Sequence, residues 1–77
     1  MLNRIRDILE EYVDVPKEQI NLETSFMYDL GLSSLDVVNI MVAFEDEFGI
    51  EIPERKLSEI ITVEDVVNLL RDDYGIS

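Results

Sequence analysis

The 77-residue sequence predicts an all-α fold, a small four-helix bundle with a short third helix and a long ordered loop between helices one and two. Three observations carry this. Apolar residues recur at helical spacing in four segments, no segment reads as strand, and two segments open on an [ST]-x-x-[DE] capping box. The length suffices for one domain and not two, and no repeat or linker divides it, so residues 1–77 are read as one unit. A domain of this size has a stability of roughly 4–11 kcal/mol. It buries only about 60% of its unfolded surface, which leaves little structure to enclose an active site.

The first helix is expected from Leu2 to Asp14. Leu2, Ile5, Leu9, Tyr12 and Val13 form its stripe, Ile8 widens it, and Arg4, Asp7, Glu11 and Asp14 take the other side. Pro16 disfavours helical geometry at Val15 and ends it. Residues 15–33 form a long connection with a turn at Pro16–Gln19, pinned to the bundle by Ile20, Leu22, Phe26, Leu30 and Leu32. Gly31 permits the tight turn before the second helix.

The second helix runs from Ser33 or Ser34 to Phe48. Ser33 with Asp36 makes the capping box and Gly49 terminates it. Ile40, Met41, Phe44 and Phe48 point inward, while Leu35, Val38 and Val42 make a second apolar stripe that suits a partner. A brief third helix spans Glu54 to Ile60, anchored by Leu57 and Ile60. Thr62 with Asp65 opens the fourth, which runs to about Asp73 with Val63, Val66, Val67, Leu70 and Tyr74 inward.

Charge narrows the function. Asp and Glu number 18 against 6 Lys and Arg, for a net charge of −12. Such a surface repels nucleic acid and anionic membrane, and favours proteins with basic patches. Between Lys17 and Arg55 there is no basic residue, yet nine acids fall there, most of them around or after the second helix. One-signed charge beside an apolar stripe is what a docking surface for basic partners looks like.

The absences exclude chemistry. There is no His and no Cys, so the commonest general base and the thiolate nucleophile are both missing. No loop has the alternating oxygen ligands of an EF-hand, and no metal site is expected. The first segment lacks a signal-peptide core and no apolar run is long enough to span a bilayer, so a cytoplasmic, monomeric domain is expected.

At the head of the second helix stands DLGLSSLD, residues 29–36. A serine there lies near free backbone N–H groups and the positive end of the helix dipole, which suits a phosphate. On spacing alone, plain N-capping is the better explanation of an isolated serine. A catalytic serine nucleophile is a poorer reading still, since there is no histidine to serve as its base.

DLGLSSLD followed by VVNIMVAFEDEFGIEIP resembles the signature of the acyl carrier protein family. The TSF before it, the amphipathic first segment and ITVEDVV in the last helix fit as well, so the resemblance covers essentially the whole chain. It implies a non-catalytic carrier of fatty-acid, polyketide or related lipid biosynthesis, with a phosphopantetheine attached through a phosphodiester to Ser34 and its terminal thiol holding the acyl group. Leu35, Asp36, Val38, Val42, Glu45 and Asp46 fall on family positions that meet partners. Those partners are the phosphopantetheinyl transferase and the acyl-transferring and synthase enzymes with basic docking patches. The resemblance also implies an acyl pocket, for which Phe26, Phe44, Leu57, Ile60 and Val66 are the candidates.

Two departures from the signature stand out. Ser33 occupies the position before the modified serine, where the family usually has Asp, and so offers a rival hydroxyl. Asn39 stands where an acid is frequent. A peptidyl or aminoacyl carrier shares the bundle and the modified serine but is usually less acidic on the second helix. An unmodified acidic interaction module is the alternative from another class.

Overall fold

The computed structural model describes residues 1–76, and four α-helices account for its regular structure, without a strand among the described residues. They are α1 (Leu2–Leu9), α2 (Ser34–Phe48), α3 (Glu54–Leu57) and α4 (Val63–Tyr74), with one turn of 3₁₀-helix at Lys17–Gln19 in the long connection. This is the expected all-helical bundle with its short third helix.

Local chemistry sets the ends of α2 and α4. Ser33 caps α2 and Thr62 caps α4, and each makes a reciprocal capping box with the acid three residues on. Gly49 and Gly75 close the two helices at φ +66°, in the left-handed region that only glycine enters without a Cβ penalty.

Two helices stop sooner than expected. α1 ends at Leu9 rather than Asp14: the Glu11 and Tyr12 N–H groups donate to Ile8 and Leu9 carbonyls, three residues back, at 3.3 and 2.8 Å. Val13 still packs against the core and its N–H reaches the Leu9 carbonyl at 3.1 Å, but Tyr12, which continues the apolar period, is exposed, and the chain leaves the helix through tight turns. α3 ends at Leu57 rather than Ile60, where the Glu59 and Ile60 N–H groups likewise bond three residues back. Its N-cap is Pro53, which has no side-chain acceptor to offer.

The core joins all of these pieces. Ile5 and Leu9 of α1, Ile20 and Phe26 of the connection, Ile40, Met41 and Phe44 of α2, and Val63, Val66 and Leu70 of α4 are almost wholly buried. Val37 and Leu69, which the periodicity left out, join them. Tyr74 is half-buried and its hydroxyl donates to the Glu51 carbonyl. Phe48 is also half-buried, with the Arg4 guanidinium 4.4 Å above its ring. No buried side-chain nitrogen or oxygen among the described residues lacks a hydrogen-bond partner.

The long connection is ordered by its backbone as much as by its side chains. The Arg6 Nε donates to the Ile20 carbonyl at 2.7 Å and ties the connection to α1. Further along, the Val63 and Glu64 N–H groups donate to the Thr24 and Leu22 carbonyls at 3.0 and 2.9 Å, and the Phe26 N–H donates to the Ile61 carbonyl at 3.1 Å. Two first-turn donors of α4, which have no partner within their own helix, are thus satisfied by the connection, and the Asp65 N–H by the Thr62 cap. Leu22 contributes through this carbonyl, because its side chain is exposed instead of pinned in the core.

Candidate functional site

The approach to α2 is held by a small lattice of hydrogen bonds. The Asp29 carboxylate accepts from the Ser25 N–H at 2.7 Å, and the Ser25 hydroxyl accepts from the Tyr28 N–H at 3.2 Å. The Ser25 carbonyl accepts from Asp29 and Leu30, and the Phe26 carbonyl from Leu32. Gly31, at φ +65°, makes the bend that delivers the chain to Ser33.

The two adjacent serines then differ. The Ser33 hydroxyl accepts from the Asp36 N–H at 3.2 Å and donates to the Asp36 Oδ2 at 3.0 Å, and the same oxygen takes the Ser33 N–H at 3.0 Å. Those bonds hold the Asp36 carboxyl below its usual range, the Ser33 backbone N–H contributing more than the hydroxyl. Ser34, the first residue of α2, is exposed, and its hydroxyl has no hydrogen-bond partner among the described residues. A primary alcohol in that setting can be esterified without dismantling a cap.

Beside Ser34 opens an apolar groove of about 400 Å³, lined by Met27, Val37, Val38, Glu54, Leu57, Ile60 and Ile61. Of the five acyl-pocket candidates, Leu57 and Ile60 line this groove. Phe26, Phe44 and Val66 sit in the closed core and do not. Met27 and Ile61, to which the sequence reading gave no role, belong to the groove. No periodicity marks them, because both lie outside the helices.

The α2 stripe is exposed as its pattern suggested: Leu35 is 68% accessible, and Val38 and Val42 are also on the surface. Asp46 is exposed too. Glu45 is half-buried, and its carboxylate accepts the Ile52 N–H at 2.7 Å, fastening the segment after α2 back onto the helix. The cations are mostly engaged elsewhere. Arg4 pairs with Glu47, Lys17 with Asp7, Lys56 with Asp73 and Arg71 with Asp72. The head of α2 therefore keeps its negative charge and its exposed apolar residues together.

This helical bundle presents one unengaged alcohol at the start of a helix, beside an apolar groove and within an acidic surface; it is built to carry a group. The family model for a phosphopantetheine attachment site matches residues 3–70. The chain is 42% identical over 69 residues to an acyl carrier protein of Helicobacter acinonychis (strain Sheeba), covering 90% of this chain and 88% of that one. It is 41% identical over 75 residues to an acyl carrier protein of Phenylobacterium zucineum (strain HLK1), covering 97% and 95%. The chain belongs to the acyl carrier protein family, whose members carry acyl groups as thioesters on a covalently attached phosphopantetheine and work with transferase and synthase enzymes. No helix among the described residues is long and apolar enough to cross a membrane.

Proposed function

We propose that Ser34 is the attachment point of the phosphopantetheine, and that the chain is a cytoplasmic, monomeric acyl carrier of fatty-acid or related lipid biosynthesis with no catalysis of its own. The observation that carries this reading is the contrast between neighbouring hydroxyls: that of Ser33 is used on both its donor and acceptor sides, and that of Ser34 is free and exposed. The positive end of the α2 dipole favours an anion at this position. When attached, the group supplies the terminal thiol that this cysteine-free chain lacks.

The chain's own residues position that cargo and present it. Leu57 and Ile60 offer apolar cover next to Ser34. Leu35, Val38 and Val42, with Asp36, Glu45 and Asp46, form the face toward a phosphopantetheinyl transferase and acyl-handling enzymes that bring basic patches. Phe26, Phe44 and Val66 can serve an acyl chain only if the core opens, since all three are packed shut.

The test is the intact mass after incubation with coenzyme A and a broad-specificity phosphopantetheinyl transferase. Wild type and Ser33→Ala gain one phosphopantetheine, and Ser34→Ala gains none. A folded wild type that gains nothing overturns the reading. Loss of the adduct in Ser33→Ala alone moves the site by one residue.

A further inference from the structure

The exposed apolar residues near Ser34 are not confined to α2. Met27 and Ile61 are 52% and 58% accessible, and both line the groove that Ser34 opens into. They come from segments far apart in the chain, yet they are locked side by side. The Phe26 N–H donates to the Ile61 carbonyl, the Ile61 N–H donates to the Asp65 carboxylate at 2.9 Å, and Ser25 and Thr62 form an isolated antiparallel bridge. Tyr28, the next residue after Met27, is 89% accessible. A rigid apolar wall in water is an unfavourable surface unless something covers it.

Charge selects the occupant. Glu54 lines the groove and Asp36 lies two residues after Ser34 in the first turn of α2, while the chain as a whole carries −12. A second copy of the chain and an anionic membrane are both repelled, so the complement is a protein with an apolar recess edged by Lys and Arg. Distance selects among such proteins. Enzymes that act on the acyl group meet it at the far end of the arm. The transferase must instead bring coenzyme A within bonding reach of the Ser34 hydroxyl, so its surface closes over everything around that oxygen.

Resting on the assignment of Ser34 above, we propose that the phosphopantetheinyl transferase seats across both sides of Ser34, on the Leu35–Val38–Val42 stripe of α2 and on a second wall made by Met27 and Ile61. In the transfer, the Ser34 Oγ bonds to the phosphorus bearing the pantetheine, the bond from that phosphorus to the oxygen of the departing adenosine bisphosphate breaks, and the seryl proton passes to a base of the transferase. Met27 and Ile61 do not touch the reacting atoms. They fix the register of the two proteins, so their loss acts on binding of the carrier and not on the chemical step.

The experiment uses full-length apo protein, coenzyme A and a phosphopantetheinyl transferase, with initial rates at varied carrier concentration. The variants are Met27→Gln, which nearly keeps side-chain volume, Ile61→Thr, which keeps the β-branch, and the double; all replace exposed groups, with Val38→Asp reporting on the α2 side. The double variant raises the KM for the carrier by roughly five- to tenfold with kcat unchanged, as expected for two apolar contacts at an interface centre. Ile61→Leu restores most of the wild-type KM, and all variants melt within a few degrees of wild type. Wild-type KM in the double variant, with Val38→Asp impaired, overturns the second wall and leaves Met27 and Ile61 to cover the arm itself. A fall in kcat at unchanged KM overturns it too. A wild type that accepts no phosphopantetheine overturns the Ser34 assignment along with it.

Discussion

Replacing Ser33 by alanine separates the two serines by their roles. The substitution removes the hydroxyl that accepts from the Asp36 N–H at 3.2 Å and donates to Asp36 Oδ2 at 3.0 Å, and it keeps the Ser33 N–H bond to that same oxygen. Loss of a serine N-cap costs about 1 kcal/mol, within a range of roughly 0.5–2. One bond of the box survives and the site is exposed, so the value is expected near the middle. For a domain of this size, about 1 kcal/mol lowers the melting temperature by roughly 4–8 °C. Asparagine caps about as well as serine, so Ser33→Asn is expected to melt close to wild type. Thermal unfolding followed by circular dichroism measures this, and the intact mass after transferase treatment is read on the same samples. The expected result is a lower melting temperature in Ser33→Ala with one phosphopantetheine still added. An unchanged melting temperature refutes the claim that this box organises the head of α2. Failure to modify a folded Ser33→Ala, with Ser34→Ala still modified, refutes the division of labour between the hydroxyls.

Three further expectations follow from named contacts. Phe44 is fully buried in α2, so Phe44→Ala is expected to cost about 3–5 kcal/mol. Against a total of roughly 4–11 kcal/mol, that populates unfolded chain at modest urea, whereas Phe44→Leu retains a cooperative transition. Glu45→Ala strands the part-buried Ile52 N–H and is expected to cost about 1–3 kcal/mol. Glu45→Gln keeps an acceptor oxygen and loses far less, and equal chemical denaturation curves for the two variants would contradict this. The Asp36 carboxyl lies below its ordinary value of 3.8 because the Ser33 N–H and hydroxyl bond its charged form. A depressed folded pKa gives stability that is full above 3.8 and drains away as pH falls through the lower folded value. In an NMR titration the Asp36 midpoint is expected to move up toward 3.8 in Ser33→Ala, and an unmoved midpoint rules out the hydroxyl's share.

Much of this protein was legible without coordinates. The number and order of helices, both capping boxes, the glycine stop at Gly49, and the one-signed charge around α2 all come from neighbours within four residues or from composition. Such signals survive translation into structure because the groups involved meet whatever the rest of the chain does. The motif at residues 29–36 belongs with them, and it pointed to Ser34 by resemblance.

What remained depends on residues that meet only after folding. Val37 and Val38 are identical neighbours and both line the groove, yet the first is buried and the second exposed, because the packing of the other elements decides which side of α2 is inside. Tyr12 keeps the period of α1 but lies on the surface, and the helix stops at Leu9. Glu45 reads as one more surface acid until the segment after α2 turns back and places the Ile52 N–H against it. Met27 and Ile61 have no pattern at all and come together only through the bridge between Ser25 and Thr62. The difference between the Ser33 and Ser34 hydroxyls also needed three dimensions: spacing admits either serine at the cap, and the backbone turn at Ser33, φ −83° and ψ 170°, decides which hydroxyl faces Asp36. Local hydrogen bonding wrote the helices into the sequence, and long-range packing chose which of their side chains were left to face a partner.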